Sequence, residues 1–323
     1  FKELFTHCPP SWLSFWANML GMGVAVVRES QIRSLKPDLV HCVWSADPAS
    51  FGWVTSLLVG IPFSVGAHAY DVFERGGDWL LRTKLREALL IHTSTESAYA
   101  RLVEFVPEDK LNLIRRGMYQ FPDFKLLRSN RGVLRIICVA RLVEKKGFPY
   151  QIEIYEALRD AGIAFEALIV GEGELRDEIE KELEKRSLGN QVVLKGRLSQ
   201  EDTMKELAWA DVLFHTGVID RNGDRDGLPN VIPEAMAAGV LVVASPISGV
   251  VEAIKDDVTG ILRDVNEPAS WVLECQRIQK DDALCERIRN EGRAWVERES
   301  VASRNSGKLL HAMRERLSLH DNA

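Results

Sequence analysis

Short apolar runs alternate with amphipathic stretches along nearly all of the 323 residues, and this alternation restricts the fold more than any other feature. Residues 39–43, 62–67 and 111–114 read as buried strands, with a helical pattern at 78–90 between the last two. A second series follows, with strands expected at 134–140, 165–170, 191–195, 212–215, 241–244 and 260–262. Helices are expected at 148–161, 174–186, 202–209, 228–238 and 268–280. Strands separated by helices cannot close into hairpins, so parallel sheets with crossover helices are predicted. Pro122 and the run Ser129-Asn130-Arg131-Gly132 mark a break between the two series. The chain is therefore read as α/β, with two doubly wound domains facing a cleft. Residues 1–130 form the first, whose few strands and non-methionine start imply an incomplete beginning. Residues 131–297 form the second, and a polar helical tail, 298–323, is expected to pack back on the first.

Ligands of such sheets bind outside the carboxyl ends of the strands. A net charge of -6 and a pI near 5.8 argue against nucleic acid, which calls for a basic excess. The five cysteines are odd in number, widely spaced and without a C-x-x-C pair, so neither a disulfide framework nor a zinc site is expected. A reducing, cytoplasmic setting suits them. The apolar run 12–27 is shorter than the roughly 20 residues a membrane span needs, so it reads as a core helix or as one resting on a membrane surface.

Candidate chemistry gathers at strand ends. The first turn of the second series carries Arg141 and, five residues on, Lys146-Gly147, where a dinucleotide-binding protein would carry glycines. An arginine fork and a lysine point charge can hold a diphosphate without a metal. The plain alternative is a solvated charged loop. Asp226-Gly227-Leu228-Pro229-Asn230 leads into a helix whose amino end offers free amides to an anion. Asp226 and Glu234 are carboxylates suited to sugar and ribose hydroxyls, or else a helix cap and a solvated helix residue. Asn222, Asp224, Asp226 and Gly227 match the start of a calcium loop, but its last ligand position is Pro233. No metal is expected. His68 and Asp71 follow the strand at 62–67 and would face the cleft. Gly171 and Gly173 suit a close backbone approach. Gly196, Arg197 and Leu198 follow the strand at 191–195 and could border a nucleobase.

In order, Arg141…Lys146-Gly147, Val170-Gly171-Glu172-Gly173, Gly196-Arg197-Leu198-Ser199 and Asp226…Glu234-Ala235-Met236-Ala237-Ala238-Gly239 resemble the donor domain of family 4 glycosyltransferases of the GT-B fold. The match runs over about 134–264. The Ala67-His68-Ala69-Tyr70-Asp71 segment resembles members that build bacterial exopolysaccharides and cell envelopes. The resemblance implies two Rossmann-like domains, with 1–130 on the acceptor side and 131–297 binding a nucleotide-diphosphate sugar. It implies a retaining, metal-independent hexosyltransferase with no cofactor. Arg141 and Lys146 would hold the leaving diphosphate, and Gly227, Leu228, Pro229 and Asn230 would offer amides. Glu234 would bind the ribose, and His68, Asp71 and Asp226 would lie at the reacting sugar. The partners would be the donor and a glycan or lipid-linked acceptor, with peripheral contact at the cytoplasmic membrane face. The family carries Glu where this chain has Asp226, which bears on the donor sugar. A non-catalytic nucleotide-sugar-binding subunit and a sugar-nucleotide epimerase of similar fold are the alternatives.

Overall fold

The computed structural model describes residues 8–128 and 132–321. Ser129, Asn130 and Arg131 of the expected break lie outside them. Contacts divide the chain into two compact units. The first takes the chain as far as Gly117, then Arg221–Gly227, then the stretch from Ala302 onward. The second takes Met118–Asp220 and Leu228–Val301.

The first unit opens with helix α1 (Trp12–Leu35), capped by the Ser11 side chain. It continues through strand β1 (Val40–Cys42), helix α2 (Asp47–Val59) and strand β2 (Phe63–Gly66). One helical turn, α3 (Tyr70–Phe73), and helix α4 (Leu81–Glu87) lead to strand β3 (Leu90–Thr93). Helix α5 (Glu96–Leu102) and strand β4 (Leu111–Leu113) complete a parallel sheet of order β1-β2-β3-β4. The helix expected over 78–90 ends at Glu87, and the apolar residues after it pair as β3 between β2 and β4.

α1 is a core helix on one side only. Gly21 lets it lie against α2, because a Cβ there would fall 2.3 Å from the Asp47 carbonyl oxygen. Its other side leaves Trp12, Leu13, Trp16 and Leu20 exposed. A buried ion pair fixes the packing of this unit. Lys84 is fully buried, and its Nζ donates to Asp78 at 2.7 Å, to the Asn18 side chain at 2.8 Å and to the Ala46 carbonyl at 3.1 Å. All three ammonium protons are thus used, which is the condition for burying such a charge without a large penalty.

The second unit runs β5 (Leu134–Val139), α6 (Phe148–Asp160), β6 (Phe165–Val170), α7 (Arg176–Lys185) and β7 (Val192–Gly196). Then come α8 (Gln200–Trp209), β8 (Val212–His215), α9 (Val231–Ala238), β9 (Leu241–Ala244), α10 (Val250–Ala253) and β10 (Ile261–Leu262). Helices α11 (Pro268–Lys280) and α12 (Asp282–Glu299) close it. Its strands are parallel in the order β10-β9-β8-β5-β6-β7. The order runs one way from β5 through β6 to β7, and the other way from β8 to β10. The strands are rich in Val, Ile and Leu because both faces are covered. Ile136, Phe165, Phe214 and Trp271 lie in one core and Ile137, Leu213, Ile232 and Trp295 in the other. The last helix, α13 (Ala302–Asp321), packs with β3 in the first unit. Asn305 donates to the Arg115 carbonyl at 2.9 Å, and Arg316 pairs with Asp109 at 3.1 Å.

Candidate active site

In a sheet whose order reverses, the crevice lies where the strands part, at their carboxyl ends. In the second unit that point is between β5 and β8. The turn after β5 carries Arg141, which is exposed, and Lys146, which is half-buried. Residues Glu144–Lys146 make one 3-10 turn, and Gly147 then starts α6 in a left-handed conformation, φ 69°. Only glycine fits there: a Cβ would lie 1.9 Å from the Thr216 carbonyl oxygen. Thr216, just past β8, sits with its Oγ1 3.1 Å from both the Lys146 carbonyl and the Gln151 side-chain oxygen. Val218 donates its amide to the Lys145 carbonyl at 2.9 Å. The cation-bearing turn is therefore tied across the parting of the strands. Sequence reasoning missed Thr216 and Gln151; a hydroxyl directly after β8 was the available signal.

Gly171 and Gly173 have a different purpose from the one expected. Cβ atoms there would meet the Ala140 carbonyl oxygen at 1.8 Å and the Leu142 carbonyl oxygen at 2.3 Å. The glycines let two backbone turns touch and brace the Arg141 turn. Gly196 ends β7 at φ 72°, and its carbonyl accepts from the Gly171 amide at 2.9 Å. Arg197 is exposed beyond it, and Leu198 is half-buried.

α9 begins at Val231, three residues later than expected. Leu228, Pro229 and Asn230 form the turn before it, with the Ile232 amide bonded to the Pro229 carbonyl at 3.0 Å. Asp226 is therefore not the helix cap; Asn230 holds that position, with no side-chain cap bond. Glu234 lies in the first turn, half-buried, and burial raises its carboxyl above the usual range. No hydrogen-bond partner holds it among the described residues, so it is free to accept from a diol.

The remaining predicted residues, His68, Asp71, Asp226 and Gly227, belong to the first unit. Asp71 does not open to a cleft as the sequence reading expected. It is fully buried, and its carboxylate accepts from the Ser45 hydroxyl at 2.7 Å and amide at 3.2 Å, the His68 amide at 3.2 Å and the Ala69 amide at 2.9 Å. It shapes the loop that carries His68 and has no lone pair to spare for proton transfer. Gly227 lies beside that loop: a Cβ would fall 3.3 Å from Thr95 Cγ2 and 4.0 Å from the His68 carbonyl oxygen. Gly227 and the His68 backbone are thus neighbours.

His68 stacks edge-on against Trp44 and against His92, with centroids 5.2 and 5.1 Å apart. His92 was not foreseen. Gly66 makes room for both rings, since a Cβ there would meet His68 Nε2 at 2.8 Å and His92 Nε2 at 2.9 Å. Burial is the main force lowering His68 to about 4, with the Asp71 carboxylate opposing it and Arg116 and His41 assisting. Burial and the neighbouring His68, His41 and Arg116 lower His92 to about 3. Both rings are neutral near pH 7, so His68 bonds as an imidazole and is too weak a base to hold an acceptor proton. Below an unfolded value of about 6.5 the unfolded chain binds more protons than the folded one, so stability is full above that pH and lost as pH falls toward 4. Thermal unfolding monitored by circular dichroism should give a lower midpoint at pH 5 than at pH 7. His92→Gln should flatten that slope; an unchanged slope would clear His92 of the effect.

Among the described residues no group of His, Cys, Asp or Glu is arranged to hold a metal ion. No helix among them is long and apolar enough to cross a membrane.

The structure is similar to Anabaena Alr3699/HepE, crystallised with UDP and glucose: 16% identity, TM-score 0.72, over 91% of this chain and 82% of that one. It is also similar to a sucrose-phosphate synthase from Thermosynechococcus elongatus: 17% identity, TM-score 0.78, over 92% of this chain and 78% of that one. These likenesses show an α/β fold with two parallel-sheet, Rossmann-like domains, as in GT-B glycosyltransferase structures. In sequence, the chain is 31% identical over 211 residues to the amylovoran biosynthesis glycosyltransferase AmsK of Erwinia amylovora. That alignment takes 64% of this chain and 52% of the relative, so the chain spans about half the length of that relative. The family profile described as glycosyl transferases group 1 matches residues 122–295, a stretch that holds the Arg141 turn, the Asp226 loop and Glu234. With more than half of the chain inside that match, the protein belongs to the glycosyl transferases group 1 family.

Proposed function

We propose that the chain is a retaining, metal-independent hexosyltransferase of glycosyltransferase family 4, drawing its sugar from a nucleotide-diphosphate donor. The observation that carries this reading is the Arg141/Lys146 turn, tied to Thr216 where the strand order of the second sheet reverses. A diphosphate there would meet a guanidinium fork, an ammonium and the amino end of α6. The unpartnered Glu234 carboxylate suits the ribose diol, and Gly196, Arg197 and Leu198 suit the edge of the base. Amides from Gly227 to Asn230 would meet phosphate or sugar, with Asp226 on the transferred sugar. No resident cofactor is needed.

In the reaction the bond from the anomeric carbon to the diphosphate oxygen breaks, and Arg141 and Lys146 stabilise the departing charge. The acceptor oxygen bonds to the same face of that carbon, and its proton passes to the leaving phosphate. His68 contributes its backbone and a neutral ring at the sugar, and Asp71 holds that loop in shape. The AmsK likeness supports an exopolysaccharide or lipid-linked acceptor, and the exposed Trp12 and Trp16 of α1 support contact with the cytoplasmic face of a membrane. UDP is the first nucleotide to try, because Alr3699/HepE was crystallised with it.

Calorimetric titration with UDP-, GDP- and ADP-sugars in excess EDTA tests the donor reading. One series should bind in the micromolar range, undiminished by the chelator. A strict need for magnesium or manganese would remove the metal-free mechanism. Absence of binding by a folded sample would remove the donor site.

A further inference from the structure

The segment Arg221–Gly227 leaves the second unit's chain after β8 and returns to it before α9, yet it folds as part of the first unit. Two contacts fasten it. The Arg225 guanidinium lies over the Phe73 ring, 4.6 Å from its centroid. The Arg75 amide donates to the Asn222 carbonyl at 2.8 Å. Gly223 turns the segment there at φ 81°. Phe73 is itself half-buried against the first unit's core, so it offers Arg225 a fixed platform. Arg75 holds a left-handed backbone, φ 50° and ψ 30°, which a non-glycine residue adopts at a cost. Its amide reaches Asn222 from that conformation.

Phe73 ends the short helix that follows the His68–Asp71 loop, and Asp226 is the residue next to Arg225. One latch thus joins the loop bearing His68 to the segment bearing Asp226. We propose that Arg225 stacked on Phe73 is a positioning pair for the donor sugar, acting through Asp226. The proposal rests on the reading of Asp226 as a sugar contact. The Arg225 charge does not touch the sugar; it fixes where the neighbouring carboxylate stands. Sugar affinity then depends on the Phe73 ring as well as on Asp226.

The test is a double-mutant cycle read by calorimetry with UDP and with UDP-glucose on the full chain. The quantity read is the affinity gained from the glucose moiety, the ratio of the two dissociation constants. Arg225→Ala should cut that ratio about tenfold, the scale of one lost cation–π contact with the carboxylate it aligns. Affinity for UDP alone should not change. Phe73→Leu should act in the same way, and Arg225→Lys should restore most of the loss by keeping a cation over the ring. The Arg225→Ala/Asp226→Asn double variant should lose no more than Asp226→Asn alone, because one residue works through the other. Additive losses, or UDP affinity falling in step, would overturn the latch. A wild-type chain that binds UDP-glucose no better than UDP would instead overturn the sugar-contact reading beneath it, and the latch with it.

Discussion

Lys146→Ala is expected to lower kcat by about two to three orders of magnitude while leaving the folded state intact, the scale seen when one preorganised charge-stabilising group is removed. The side chain is half-buried at the end of a 3-10 turn whose backbone is bonded to its neighbours. The Lys146 carbonyl is the group that Thr216 approaches, and the Gly147 amide closes the turn on Glu144 at 3.0 Å. Truncating the side chain removes none of these. What it removes is a countercharge for the leaving diphosphate, which matters most when negative charge builds up in the transition state. Nucleotide release from donor and acceptor, together with the unfolding midpoint, makes the measurement. A full rate with the midpoint unchanged would refute the diphosphate role. A lost rate with a lowered midpoint would show that the lysine is structural. Arg141→Ala should behave alike with a smaller loss, since Arg141 is exposed and its charge is better screened.

The second large effect is on stability, and a pair of glycines isolates its cause. Gly147 and Gly162 have nearly the same backbone conformation, φ 69° and φ 72°. Alanine at either adds the strain of a left-handed residue, about 1–2 kcal/mol. At Gly162 a Cβ would meet nothing within 4 Å, so the strain is the whole cost. At Gly147 the Cβ would fall 1.9 Å from the Thr216 carbonyl oxygen, a contact that side-chain rotation cannot relieve. The turn after β5 would have to part from the segment after β8. We expect Gly147→Ala to cost about 4 kcal/mol or more, roughly 8–16 °C in midpoint for a unit of this size, and Gly162→Ala only a few degrees. Chemical denaturation of the two variants side by side checks this. Equal destabilisation would mean that the close approach is not real. Gly147→Ala should also weaken nucleotide binding, since the strain falls on the cation-bearing turn.

Much of the second unit was legible because its strands are bounded by turns with strong signals. The strands at 165–170, 212–215 and 241–244 and the helix at 268–280 match the sequence reading to the residue. β3 was not legible. The stretch Ala88-Leu89-Leu90-Ile91 carries on from α4 with no Gly or Pro between, and a short apolar run reads equally as helix end or strand. What decides is pairing with β2 and β4, which is not local information. The glycines of the Arg141 and Gly171 turns were visible, but what they approach was not: backbone meets backbone there rather than ligand. The loop before α9 shows the same limit. Its Asp226 and Gly227 stand out by type, but that the segment folds with the first unit follows from Arg225 meeting Phe73, residues 152 positions apart in the chain. His92 escaped notice because a lone histidine in a strand has no sequence signature.

The first unit takes its pieces from three separate stretches of chain, and the last of them is helix α13. During synthesis strands β1 to β4 and the helices between them emerge before the second unit's sheet. The second unit's sheet follows, and the helix that packs with β3 comes only after it. The first unit must therefore wait on the ribosome with part of its apolar surface uncovered while the second unit is still being made. A folding aid that holds that surface would act late and briefly, and a stop codon before Ala302 would leave a well-formed second sheet beside a first one that is never finished.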